Sequence, residues 1–373
     1  MTGAIETIDA SQGGFRDRLQ DLHSIVIGLV ESAGDDYARQ FHPDLSPLGW
    51  HLRHCVVIDC LWVREYLSGD ARLTQPLLDL VLPRRAPKRR RGEHLPARQE
   101  LLDWARQIFA ENRSRLSAAS DRRAAWIGPF LAAHHAQHAE TMRLVLDQRA
   151  RAQAGADYQV RAALEPQPMS RQARMIAAGV HAIGADADRR PEIFAFDNER
   201  PAMAVRLAGF AIGERPVTNA EYLGFMRATG APAPQGWRQD GGGAWYSLDA
   251  SGARDLLADA PVEGVDRTAA GACARWAGAA LPHEYQWEAA ARRGVLDGTG
   301  LVWEWCANRF HPFPGFRPFP YDDYSLPWFD GRHFVLRGGG RRSEAEVRQP
   351  SFRNFYVAGA GHIGAGLRLV YPD

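Results

Sequence analysis

His134-His135-Ala136-Gln137-His138-Ala139-Glu140 carries the strongest chemical signal in the chain. His134 and His138 are four residues apart, so on a helix both imidazoles leave one face and can reach one metal ion. Paired histidines mark zinc-protease helices for the same geometric reason. A third ligand must come from another element. Ser46-Pro47-Leu48-Gly49-Trp50-His51-Leu52-Arg53-His54 offers two candidates, His51 and His54. Three neutral imidazoles with open positions suit Fe(II), Zn(II) or copper. A lone His-x3-His is more often an unliganded pair, but a second histidine cluster on another helix favours metal. His135 points about 100° away from His134 on an ideal helix, so it is not expected to ligate. Glu140 reads either as an acceptor that orients an imidazole or, more commonly for glutamate, as a solvated helix residue.

The four cysteines form no Cys-x2-Cys pair, which excludes a zinc ribbon. Cys55, Cys60 and Cys273 read as small core hydrophobes. Cys306, which follows Trp303-Glu304-Trp305, is the one cysteine worth testing for function. The basic run from Arg84 to Arg91 is open to three readings: a solvated loop, a nucleic-acid patch, or a clamp for an anionic substrate. No aromatic residue interleaves it and the whole chain carries a formal charge of +1, so nucleic acid is the weakest of the three. Guanidinium forks suit carboxylates, which makes Arg89 and Arg90 candidates at a pocket mouth.

The elements that must hold these residues are helical in the first 150 positions. Phe15, Leu19, Leu22, Ile25, Val26 and Leu29 make one apolar stripe over 15–30. Ser46 as N-cap and Pro47 in the first turn open a second helix over about 48–67, stopped by Ser68-Gly69-Asp70. A third is expected over about 97–117 and a fourth over about 129–149, which together suggest a four-helix bundle. Residues 151–190 are rich in Ala, Arg and Gln with weak periodicity and read as a linker. From 191 to 373 glycine, proline and aromatics dominate. Helices are expected there over 218–228, 269–276 and 282–292, among short strands and long loops.

The 373 residues suggest two domains at about 150 residues each. Lys+Arg 45 against Asp+Glu 44 gives no global drive toward nucleic acid or an anionic membrane. The polar N-terminus lacks the pattern of a signal peptide. No window approaches about 18 apolar residues, so no membrane span is expected. The reading is a cytoplasmic protein, monomer or dimer, acting on small molecules.

Both halves together resemble the ergothioneine-type sulfoxide synthases, nonheme iron enzymes. The resemblance rests on SPLGWHLRH at 46–54, HAQHAE at 135–140, FDNERP at 196–201, RPVTNAEYLGF at 215–225 and ALPHEYQWEAAAR at 280–292. It continues through LVWEWC at 301–306, HPFPGFRPFPYDDYS at 311–325, FDGRHFVLRGG at 329–339, PSFRNFY at 350–356 and GLRLV at 366–370. It implies an α+β chain: a DinB-like four-helix bundle over 1–150 and a formylglycine-generating-enzyme-like domain of C-type-lectin fold over 191–373. It implies Fe(II) held by His51, His134 and His138, O2 as co-substrate, and hercynine as the acceptor of a new bond at imidazole C2. Gln137 and Asn354 would meet the hercynine imidazole. Phe355 and Tyr356 would face its trimethylammonium, where a cation–π contact is sensible. Tyr321 or Tyr324 would supply a proton or hydrogen bond. Arg91-Gly92-Glu93-His94-Leu95-Pro96 replaces the family's usual start to the third helix and is most like the selenoneine synthase branch, whose donor is a selenosugar. γ-Glutamylcysteine or cysteine is the alternative donor. Two other functions compete: a DinB-like metal-dependent thiol S-transferase, and a binding protein with a structural metal.

Overall fold

The computed structural model describes residues 12–119, 125–155, 158–186 and 194–371. The chain divides into two compact units, Met1–Leu146 with Asp188–Phe194, and Asp147–Ala187 with Ala195–Asp373. Phe15 of the expected stripe falls on a helix but has no described side chain, and positions 156–157 and 187–193 lie outside the described residues.

The first unit is helical. Its elements are α1 (Gln12–Ala33), α2 (Leu48–Cys60), the short α3 (Leu78–Val81), α4 (Arg98–Ala118) and α5 (Ile127–Gln153), whose last turns, from Asp147, belong to the second unit. On α1 the stripe is real: Leu19, Leu22, Val26 and Val30 are buried, while Ile25 and Leu29 are half-buried. Helix α2 is buried on every side, as befits the central rod of a bundle. It runs on through a π-helical turn, Leu61–Tyr66, to Gly69, whose φ of 71° ends it. Ser46 does not cap α2, contrary to expectation. Pro47 occupies the cap position with extended backbone, and the Ser46 hydroxyl instead accepts a hydrogen bond from Arg91 at 2.6 Å. Each fully buried Leu, Val or Phe here contributes on the order of 1.5–3 kcal/mol.

The second unit mixes sheets and helices. The strands are β1 (Ala173–Ile176), β2 (Gly179–Ile183), β3 (Met203–Leu207), β4 (Phe210–Gly213), β5 (Trp237–Gln239), β6 (Trp245–Asp249) and β7 (Gly252–Asp255). They continue with β8 (Trp303–Arg309), β9 (His333–Arg337), β10 (Asn354–Val357), β11 (Ala365–Gly366) and β12 (Val370–Tyr371). Four sheets result, ordered β10-β9-β8-β11, β1-β4-β12, β5-β6-β7 and β2-β3. The stretch read as a linker therefore supplies two strands, β1 and β2, which pair with β4 and β3. Their weak periodicity reflects short, half-exposed strands on which few positions are buried.

Helix α6 (Asn219–Thr229) starts from a Thr218–Glu221 capping box and ends at Gly230 in the left-handed region. Helices α7 (Arg267–Trp276) and α8 (Glu284–Ala291) follow. Ile176, Phe210, Ile212, Trp287, Phe310 and Val335 form the core between these elements, with Cys306 among them. Among the described residues no helix is long and apolar enough to cross a membrane.

Candidate metal centre

Because α2 is buried all round, its polar residues must find partners inside the bundle. His51 and His54 do so on α5. His54 Nε2 lies 3.1 Å from His134 Nε2, and His51 Nδ1 lies 2.9 Å from His138 Nδ1. The ligand atoms of His54, His134 and His138 all lie within 4.8 Å of one another. The pair at i and i+4 on α5 therefore converges as its spacing demands.

Proton bookkeeping tests whether a cation fits. Four contacts link the Val81 carbonyl to the Asp59 carboxylate: Val81 O–His54 Nδ1 at 3.0 Å, His54 Nε2–His134 Nε2 at 3.1 Å, His134 Nδ1–His135 Nδ1 at 3.4 Å and His135 Nε2–Asp59 Oδ1 at 3.2 Å. Each contact needs one hydrogen, and three neutral imidazoles carry one apiece. The chain of contacts is one positive charge short. A metal ion held by His134 and His138 with a histidine of α2 would satisfy it. Burial, then neighbouring imidazoles, hold His134 and His138 well below the ordinary histidine range. Burial brings His54 down to about 3 despite its bond to Val81. Such histidines are neutral, as metal ligands must be.

His51, expected as the third ligand, also reaches α5, at His138 Nδ1, and His54 is a second candidate from α2. The Val81 carbonyl can only accept, so it takes the proton of His54 Nδ1 and leaves Nε2 bare toward His134. His51 stands beside the set, its Nε2 buried with no hydrogen-bond partner. Gln137 is half-buried one position before His138, and Glu140 is buried rather than solvated.

His135 turns away from the set, as the helix angle requires, and meets Asp59. So does His23 from α1, its Nε2 3.1 Å from Asp59 Oδ2 and its ring stacked 3.8 Å from Phe109. Burial works to raise the Asp59 carboxyl, but His135 and His23 outweigh it and hold the group down to about 2.

The basic loop splits. Arg89 and Arg90 are exposed, and Arg90 pairs with Glu93 at 2.8 Å on the surface. Arg91 turns inward, donating to Ser46, Ala86 and Pro83 and lying 4.0 Å over the Trp50 ring. Gly92 follows because a Cβ there would collide with the Ala38 carbonyl.

In the second unit Tyr324 stacks on Phe196 at 4.3 Å and Tyr321 stands edge-on to Tyr324 at 6.4 Å. Burial, then Asp197, push the Tyr321 phenol up, so it keeps its proton. Asp197 accepts from the Ser325 hydroxyl, and burial pushes its carboxyl up to about 6. On β10 side chains alternate. Phe355 stacks on Phe310 at 4.2 Å within the core, while Tyr356 stands edge-on to His362 at 6.0 Å. The Asn354 side-chain oxygen accepts from the Phe355 amide at 2.9 Å. All four cysteines are buried and free. Burial raises the Cys306 thiol well above its ordinary value, which makes it inert core.

Residues 160–299 match the Sulfatase-modifying factor enzyme 1-like domain, FGE-sulfatase. Over 95% of its length the chain is 30% identical to a hercynine oxygenase of Mycolicibacterium thermoresistibile, covering 94% of that protein. The chain belongs to the hercynine oxygenase family. A second member, from Mycobacterium tuberculosis, is 29% identical over 93% of this chain and 96% of its own. Ergothioneine biosynthesis protein 1 of Schizosaccharomyces pombe is 26% identical over 48% of this chain and 27% of its own.

In this hercynine oxygenase family member, sequence reasoning missed His23, Asp59, Arg91 and Asp197. One signal was available for His23. It sits inside the buried α1 stripe, between Leu22 and Val26, where a polar residue requires a partner. Asp59 likewise interrupts the apolar run Val56-Val57-Ile58.

Proposed function

We propose that the chain is an Fe(II)- and O2-dependent oxygenase that joins a chalcogen donor to C2 of the hercynine imidazole. The observation that carries this reading is the cation-deficient imidazole set of the bundle. His134 and His138 would hold the metal with a histidine of α2, either His51, as the family resemblance implies, or His54. Divalent iron on three neutral nitrogens would supply dioxygen activation and open positions for a soft donor. Membership of the hercynine oxygenase family supports the acceptor. Gln137 and Asn354 are the amides assigned to the hercynine imidazole, and Tyr356 is the ring assigned to its trimethylammonium. Phe355 is a weaker choice, since its face is stacked on Phe310. Tyr321 or Tyr324 serves as proton donor; burial and Asp197 keep Tyr321 in the protonated form that this role needs.

A selenosugar is the favoured donor. A thiol donor with carboxylates calls for an arginine clamp, yet Arg89 and Arg90 are spread on the surface and Arg91 is spent on Ser46 and backbone carbonyls. γ-Glutamylcysteine or cysteine is the second reading, favoured by the ergothioneine biosynthesis relative. The deciding experiment loads the metal-free chain with Fe(II) under nitrogen and adds hercynine with each donor in turn. Air is then admitted and the products are weighed by mass spectrometry. A C–Se adduct is expected with the selenosugar. A C–S adduct alone reassigns the donor, and no hercynine adduct with any donor ends the reading.

A further inference from the structure

Beneath the imidazole set lies a second polar cluster that the proposed reaction does not use. Asp59 on α2 sits between His23 on α1 and His135 on α5, with oxygen–nitrogen separations of 3.1 and 3.2 Å. All three residues are buried, and the two carboxylate oxygens and the facing nitrogens meet only one another, at ion-pair distance. This resembles a two-histidine, one-carboxylate metal site. The protons argue otherwise. Arg113 lies 2.9 Å from His23 Nδ1, and a guanidinium can only donate. His23 Nδ1 therefore accepts, and its Nε2 carries the hydrogen that faces Asp59. A nitrogen bearing hydrogen does not ligate a metal.

The same reasoning runs outward from the other oxygen. A carboxylate only accepts, so His135 Nε2 carries the hydrogen and His135 Nδ1 is bare. His134 Nδ1, 3.4 Å away, must then donate to it. That leaves His134 Nε2 bare, facing His54 Nε2. The Asp59 carboxylate dictates the tautomers of His135 and His134, the Arg113 guanidinium that of His23 and the Val81 carbonyl that of His54.

We propose that Asp59 is a positioning residue for the metal centre. Acting through His135, it fixes Nε2 as the nitrogen that His134 presents to the metal. The proposal rests on the metal reading above. Outer partners of ligating histidines act in this way, and losing one typically weakens metal binding by about 10–100-fold. The decisive variant is Asp59→Asn. Its amide can donate to His135 Nε2, which reverses the line of hydrogens and places one on His134 Nε2. A carboxylate-to-amide exchange inverts the histidine tautomer of a catalytic triad in the same manner.

The experiment titrates the metal-free full chain with Co(II) and follows its visible absorption. Wild type is expected to bind one equivalent tightly. Asp59→Asn should bind about 10–100-fold more weakly with an altered spectrum, and Asp59→Glu should recover most of the affinity. Leu101→Ala, a core truncation on α4 that removes no polar group, should lose stability yet keep the wild-type affinity and spectrum. Wild-type affinity and spectrum in Asp59→Asn overturn the proposal and leave the metal reading standing. Equal weakening in Leu101→Ala also overturns it, because the effect would then be stability alone. No Co(II) binding by wild type removes both readings. Nitrogen NMR of the Zn(II)-loaded wild type needs no variant and keeps the test open should Asp59→Asn not fold. Hydrogen on His135 Nε2 and on His134 Nδ1 is expected, and hydrogen on His135 Nδ1 overturns the proposal.

Discussion

The two units bury polar groups in opposite ways. In the sheet-containing unit, Glu284 accepts from both Arg337 and Arg353, Glu288 also takes Arg337, and Glu304 takes Arg368 and the Trp287 indole. Guanidinium forks meet carboxylates, and further guanidinium hydrogens go to backbone carbonyls such as Ser351, Asn198 and Gly213, while the buried Arg337 Nε has no partner. Charge is balanced there from within. In the helical unit the imidazole contacts that run from Val81 to Asp59 are one positive charge short. The lesson is that burial alone does not mark a site. A lattice whose charges close internally holds loops in place, whereas one that does not close has room for a ligand.

Breaking the closed lattice has the largest expected effect. Glu284→Ala leaves the buried Arg353 with no carboxylate and Arg337 with only Glu288, and should cost about 3–5 kcal/mol, read as a lower urea midpoint. A loss below about 1 kcal/mol would mean that the lattice contributes little.

Acid should separate the units. Glu284 is held down to about 2 by Arg353 and Arg337, against burial, from an ordinary 4.5. Its contribution is present above about 4.5 and lost as pH falls to about 2. Burial holds His23 down to about 4, against the pull of Asp59, from 6.5. The unfolded chain takes up that proton first, so stability is lost between about 6.5 and 4, by at most about 3 kcal/mol. Hydrogen exchange by segment, corrected for intrinsic rates, should show α1, α2 and α5 losing protection at higher pH than β8 and β9. The reverse order would contradict the assignment.

Metal loading sharpens the contrast in the other direction. At a hundredfold excess over Kd a site bound only by the folded chain gains about 2.7 kcal/mol. Slower exchange is expected in α2 and the His134–His138 turn of α5, with the sheets unchanged. The smallest effect belongs to Cys306→Ala, a small core truncation costing about 1 kcal/mol. Turnover of hercynine should persist; its loss would restore a chemical role to that thiol.

Much of the helical unit was legible because helix periodicity ties spacing to direction. Four residues between His134 and His138 already put both rings on one face. The choice between His51 and His54 was not legible. Both face α5, and the Val81 carbonyl, 27 positions downstream of His54, fixes only which nitrogen of His54 is bare. The strands β1 and β2 were hidden for a related reason, since their partners β4 and β3 lie beyond them in sequence and no local pattern announces the pairing.

The sequence by itself determined the residue types, the helical facing of the histidine pair and membership of the hercynine oxygenase family. Tertiary structure decided the rest: that Arg91 turns inward while Arg90 stays out, that His51 and His54 both meet the α5 pair, and that Asp59 sits behind His135. The physical reason is the proton. Which atom of an imidazole is bare depends on what its other nitrogen meets across the bundle, and that partner is set by packing between helices far apart in the chain.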